Sequence, residues 1–83
     1  MIHKFKNYNF KHNGKDYLGS GIAFYVLDEY EDGEMEAGFE KAELDEAIGF
    51  AGSVKDADTI NAMAESVLIA LNRDDTLRKM LGK

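Results

Sequence analysis

The chain has 83 residues, no cysteine and a formal net charge of −6, which makes it one domain near the lower size limit for a self-sufficient core. The lack of cysteine excludes disulfides and thiolate metal sites, and 45% apolar content argues against compositional disorder. The longest apolar run, Ile22 to Leu27, falls far short of the roughly 18–20 residues of a membrane span, and no secretion-signal core follows Met1, so a cytoplasmic, membrane-free protein is expected.

The first half reads as sheet, with strands expected at about 3–12, 15–19, 22–28 and 34–39. Asn13-Gly14 is a two-residue hairpin signal, because a type I′ turn needs positive φ at both central positions. Centring the turn there sets Phe10 opposite Tyr17 and Lys11 opposite Asp16, an aromatic pair on one face and an ion pair on the other. Gly19-Ser20-Gly21 then interrupts the pattern, which suggests a bulge or a close backbone approach. It is not a phosphate loop, since no helix start and no Walker lysine follow. Ile22 to Leu27 is apolar on both faces, as a central strand is. Asp32-Gly33 offers a second two-residue turn, but its register would oppose Glu31 to Glu34 and Glu29 to Glu36. A longer loop over Asp28 to Glu34 avoids that repulsion, and both readings stand at this point.

The second half reads as helix, over about 41–51, 54–72 and 75–81. Leu44, Ala47, Ile48 and Ala51 fall at helical spacing, with Gly52 placed to close the turn and Phe39 placed to staple against Leu44. Ser53 fits the N-cap of the next helix, whose stripe runs through Ile60, Met63, Ala64, Val67, Leu68 and Leu71. An Asp cap near Asp75 restarts a short helix bearing Leu77, Met80 and Leu81. The expected fold is α+β: an N-terminal antiparallel sheet of three to four strands, then two to three helices packed on one face.

Charge is the most informative property. Ten of the sixteen carboxylates lie between Asp28 and Glu46, against the single base Lys41. Such a concentration attracts basic partners in a salt-dependent way. The candidate partner-binding residues are Asp28, Glu29, Tyr30, Glu31, Asp32, Glu34, Met35 and Glu36, with Phe39 as a further apolar anchor.

Other chemistries find little support. A calcium loop starting at Asp28 would put Gly33 correctly at the sixth position, but Tyr30 and Phe39 occupy two ligand positions. His3 and His12 fall on opposite faces of the first strand by parity, so they share no metal within one chain. Ser20, Ser53 and Ser66 lack a nucleophile motif and a base. No catalytic residue, metal ligand or cofactor is assigned, and the protein is expected not to be an enzyme. Lys4, Lys6, Lys11 and Lys15 alternate with Phe5, Tyr8 and Phe10 like a nucleic-acid platform. The net charge is wrong for direct nucleic-acid binding, and the lysines read instead as a solvated face that protects a sheet edge.

In size, acidity and lack of catalytic equipment the chain resembles small acidic inhibitors, such as bacteriophage anti-restriction and anti-CRISPR proteins or immunity proteins against basic nuclease toxins. That resemblance implies a non-catalytic protein that offers its carboxylates to a basic, nucleic-acid-handling protein partner. The alternative expectation is a homo-oligomer, a homodimer in its simplest form, built on the apolar helical surface with Ile69 and Phe50 as off-stripe contacts.

Overall fold

Asn13 and Gly14 hold φ of 52° and 78°, the left-handed pair a type I′ turn requires, and the first hairpin takes its register from them. In the computed structural model, which describes Met1–Lys83, strand β1 (Ile2–His12) turns there into β2 (Lys15–Glu29). Phe10 faces Tyr17 with ring centroids 5.8 Å apart, and Lys11 pairs with Asp16 at 3.3 Å. On its other side β2 pairs with β3 (Met35–Gly49), and the short β4 (Gly52–Ser53) completes an antiparallel sheet in the order β1-β2-β3-β4. Helices α1 (Ala57–Arg73) and α2 (Asp75–Leu81) follow. The fold is α+β, as expected. Met63, Val67 and Leu71 of α1 pack on Phe5, Phe10, Ala23, Ala37, Phe39, Ala42 and Ala47, so the helices cover one face of the sheet.

The expected break at Gly19-Ser20-Gly21 is corrected: β2 runs unbroken through the glycines. Bulges interrupt its neighbours instead. On β1 an extra residue sits between Phe5 and Tyr8 where β2 has only Gly21 to Gly19. On β3 an extra residue sits between Leu44 and Glu46, again opposite Ser20. Beside the two bulges, the space that a side chain on the core face of β2 would fill is already taken by its neighbours, and only glycine fits. A β-carbon on Gly19 would meet Leu44 Cδ1 and Phe10 Cε1 at 2.8 Å, and one on Gly21 would run into the Glu43 carbonyl. Ser20 closes the β1 bulge, its Oγ accepting the Asn7 N–H at 3.0 Å, where Asn7 holds a φ of 52°.

Residues 41–51 are not a helix, and this expectation is also corrected. They are the second half of β3 and the turn after it. The reason is a coincidence of period. Bulges after Phe39 and after Leu44 each insert one residue, so the core-facing positions run Ala37, Phe39, Ala42, Leu44, Ala47. Each bulge turns a spacing of two into three, and the mixture imitates the 3.6-residue period of a helix. Phe39 therefore stands in the core and staples nothing, while Gly52, at φ 112°, serves the β3–β4 turn instead of a helix C-terminus. The helices number two, within the two to three expected.

The long helix also starts later than its stripe suggests. Ser53 pairs with Ile48 in β4, and Val54 N–H donates to Ala47 O. The cap is Asp56, whose carboxylate accepts from Thr59 N at 3.0 Å and Thr59 Oγ1 at 2.6 Å. Those bonds favour its ionised form and hold it below the usual carboxylate range. Asp74 both ends α1 and caps α2, accepting from Leu77 N at 3.1 Å. Tyr8 donates its phenol to the same carboxylate at 2.8 Å and so ties β1 to the helix junction.

One sheet edge is sealed by side chains. Asn72 takes both main-chain groups of Phe39, accepting its N–H at 2.9 Å and donating to its carbonyl at 3.0 Å. Arg78 Nε donates to Ala37 O at 2.8 Å. The carboxamide and the guanidinium occupy the place of a fifth strand along that stretch of β3.

Candidate functional site

The acidic segment forms the tip and far side of the β2–β3 hairpin. Glu29 faces Met35 and Asp28 faces Glu36, so the connection is the longer loop over Tyr30 to Glu34. Tyr30 N–H donates to Glu34 O at 2.8 Å and Gly33 N–H to Tyr30 O at 2.9 Å, while Asp32 Oδ1 accepts from Glu34 N at 2.9 Å. Gly33 supplies the φ of 83° that this turn needs. Main-chain bonds of this kind hold the loop in a defined shape and leave its side chains to solvent.

Of the eight candidate residues, Asp28, Glu29, Tyr30, Glu31, Asp32 and Glu34 are exposed, and Met35 is half-buried. Glu36 is different. It receives Arg78 at 3.3 Å and the Tyr30 hydroxyl at 3.3 Å, and its side chain is only 17% exposed. The like-charge opposition of Asp28 and Glu36 is relieved by that guanidinium, which also meets Asp75 at 3.4 Å. Arg78 escapes sequence reading because nothing in a short helix 42 positions away signals that it folds back onto the hairpin. Phe39 is buried and takes no part in a surface.

The remaining carboxylates, Glu40, Glu43, Asp45 and Glu46, are exposed along β3. Because this stretch is strand, the acidic surface is a ribbon that continues from the tip along one side of the sheet. Glu40 to Asp45 also line a groove of about 500 Å³ against Asn61, Ala64, Glu65 and Leu68 of α1. At the tip, Lys79 and Lys83 share a cleft with Asp32 and Glu34 but form no ion pair with them.

Elsewhere, the β1 bulge overturns the parity argument for the histidines: His3 and His12 both lie on the helix-covered face. They stand near opposite ends of β1, so they remain apart. His3 packs by Phe5 and Phe39, and burial lowers its pKa below 6.5. His12 Nδ1 lies 2.8 Å from Ser66 Oγ. No three His, Asp or Glu side chains converge as a metal centre requires. Phe5 and Phe10 lie under the helices while Lys4, Lys6, Lys11 and Lys15 face solvent, so the alternating lysines and rings do not form a stacking platform. Ile69 and Phe50 are both exposed but line separate grooves, one beside Tyr8 and Arg73, the other beside Tyr17 and Val54. No helix is long and apolar enough to cross a membrane. No protein-family model matches the chain, and no curated protein or solved structure matches it either.

Proposed function

We propose that the protein is a non-catalytic binding protein that presents the β2–β3 tip to a basic surface of a protein partner. The observation that supports this reading is the tip itself: five exposed carboxylates, at Asp28, Glu29, Glu31, Asp32 and Glu34, on a loop ordered by its own main-chain bonds. Preorganised like charge is set against the self-repulsion it causes, and a partner's Arg and Lys side chains would relieve that repulsion on binding. Tyr30, 47% exposed beside these charges, supplies an aromatic contact of the kind that anchors interfaces. A groove that ordinarily holds a nucleic-acid phosphate backbone has the matching chemistry, which makes inhibition of a nucleic-acid-handling protein the form of the function we favour.

The test compares three forms of the tagged protein. One is wild type, one carries Asn or Gln at the five tip positions, and one carries them at Glu40, Glu43, Asp45 and Glu46. Basic proteins retained from a cell lysate and identified by mass spectrometry should be lost from the tip variant and kept by the strand variant. Retention should also fail for wild type above roughly 0.5 M salt, where the screening length is only a few ångströms. Equal retention by wild type and the tip variant would overturn the proposal.

A further inference from the structure

The segment Ile22 to Leu27 is apolar at every position, a composition that belongs to strands covered on both faces. Here the helices cover one face only. On the opposite face Leu18, Ile22, Phe24 and Val26 form an apolar stripe along β2, broken only at Ser20, with Ile2 and Ile48 beside it on the neighbouring strands. Ile2 is 60% exposed, Val26 44% and Leu18 39%.

The charges that border this stripe are sorted by strand. On the β1 side are Lys4, Lys6 and Lys11; on the β3 side are Glu43 and Glu46, with Lys41 close by. Lys11 and Lys41 have partners in their own chain, Asp16 and Glu43, whereas Lys4 and Lys6 make no ion pair. The pairing register aligns these groups in rows across the sheet. Lys4, Ile22 and Glu43 make one row, and Asn9, Leu18 and Ile48 another.

From this pattern we infer that the helix-free face is a homodimer interface, covered by the same face of a second copy about a twofold axis that runs along β2, between the two sheets. Rotation about that axis lays each row over its own reverse. Ile22 meets Ile22 of the second copy, Lys4 meets Glu43, and Glu43 meets Lys4. A twofold axis across the strands would instead stack Lys4 on Lys4 and Glu43 on Glu43. Charge therefore selects one of the two symmetric ways of closing the face, and the isologous contact that results is complete with two copies.

The size of the face sets the strength. Three strands about 4.8 Å apart, rising about 3.3 Å per residue, offer roughly 15 Å by 30 Å, so a dimer covers about 900 Å² in all. That is just below the roughly 1,000 Å² of a firm interface, which implies a reversible, concentration-dependent dimer.

Sedimentation equilibrium of the purified chain from about 10 μM to about 1 mM, at ordinary salt, should show a monomer–dimer exchange. Lys4→Glu and Glu43→Lys should each weaken the dimer by about tenfold or more, since each turns two attractive contacts into repulsive ones. The double variant should recover to within about threefold of wild type. Both positions are exposed, and an unchanged melting temperature shows that the fold persists in each variant. A wild type that stays monomeric to about 1 mM overturns the inference. So do single variants that associate as well as wild type, or a double variant no better than either single one.

Discussion

The carbonyl oxygen of Glu43 occupies the space into which a side chain on Gly21 would extend. The β3 bulge opposite Ser20 lies next to this contact, and the obstacle is main chain, which no rotamer change can move aside. Gly21→Ala should therefore cost about 3 kcal/mol or more, at the high end of overpacking effects. Gly14→Ala meets nothing, since open space surrounds it, and pays only for its φ of 78°. Urea titration should find the Gly21 variant much the less stable of the two, and equal midpoints would mean the strands do not approach as described.

Within α1 the core side is narrower than the apolar stripe. Leu71 is fully buried, but Leu68 is half-buried and lines the groove beside β3. Leu71→Ala should cost about 2–5 kcal/mol, and Leu68→Ala clearly less. Chemical denaturation of both variants checks the order. A reversed order would rotate the helix away from its present face.

The two halves of the fold differ in how well their sequence announces them. Asn13-Gly14 fixes a turn locally, so the pairs Phe10–Tyr17 and Lys11–Asp16 were legible without a structure. α2 was legible too, because an Asp cap and a short apolar period act within a few residues. β3 was not, because its face pattern depends on bulges that form only against Ser20 and Tyr25 of a different strand. The carboxylates of the tip could be read as exposed from composition, whereas the withdrawal of Glu36 depends on Arg78, a contact with no local signature.

Arg78 bonds the Ala37 carbonyl and neutralises Glu36 while only 19% of its side chain is exposed. Arg78→Met should cost about 1–3 kcal/mol, because a largely buried carboxylate and a strand carbonyl lose their partner. Adding Glu36→Gln should recover part of that loss. Full additivity of the two changes in thermal or urea unfolding would mean that the groups do not interact.

Tyr8 gives the fold an alkaline limit. Burial, the hydrogen bond to Asp74 and the charge of that carboxylate all raise the phenol's pKa above 10.0. The unfolded chain loses its proton first, so stabilisation is complete below pH 10 and falls as pH rises beyond it. Tyr8→Phe should cost about 1–2 kcal/mol at neutral pH, yet decline less steeply above pH 10. Stability measured against pH from neutral to strongly alkaline conditions separates the two curves. Parallel curves would show that Tyr8 is not held by Asp74.

The bulges also change what a deletion means in this sheet. In an evenly alternating strand, losing one residue turns all that follows to the wrong face. β3 already contains two extra residues, Glu40 after Phe39 and Asp45 after Leu44, and each bulge absorbs its extra residue so that the side chains beyond it stay in phase with the core. Exposed residues there, Glu40 and Asp45, look dispensable by burial and charge. The register agrees: without either one, the step from Phe39 to Ala42 or from Leu44 to Ala47 returns to a spacing of two, and the core side chains keep their face. Along this strand the bulges are the places where length can change without reversing the faces, and the evenly alternating stretches are not.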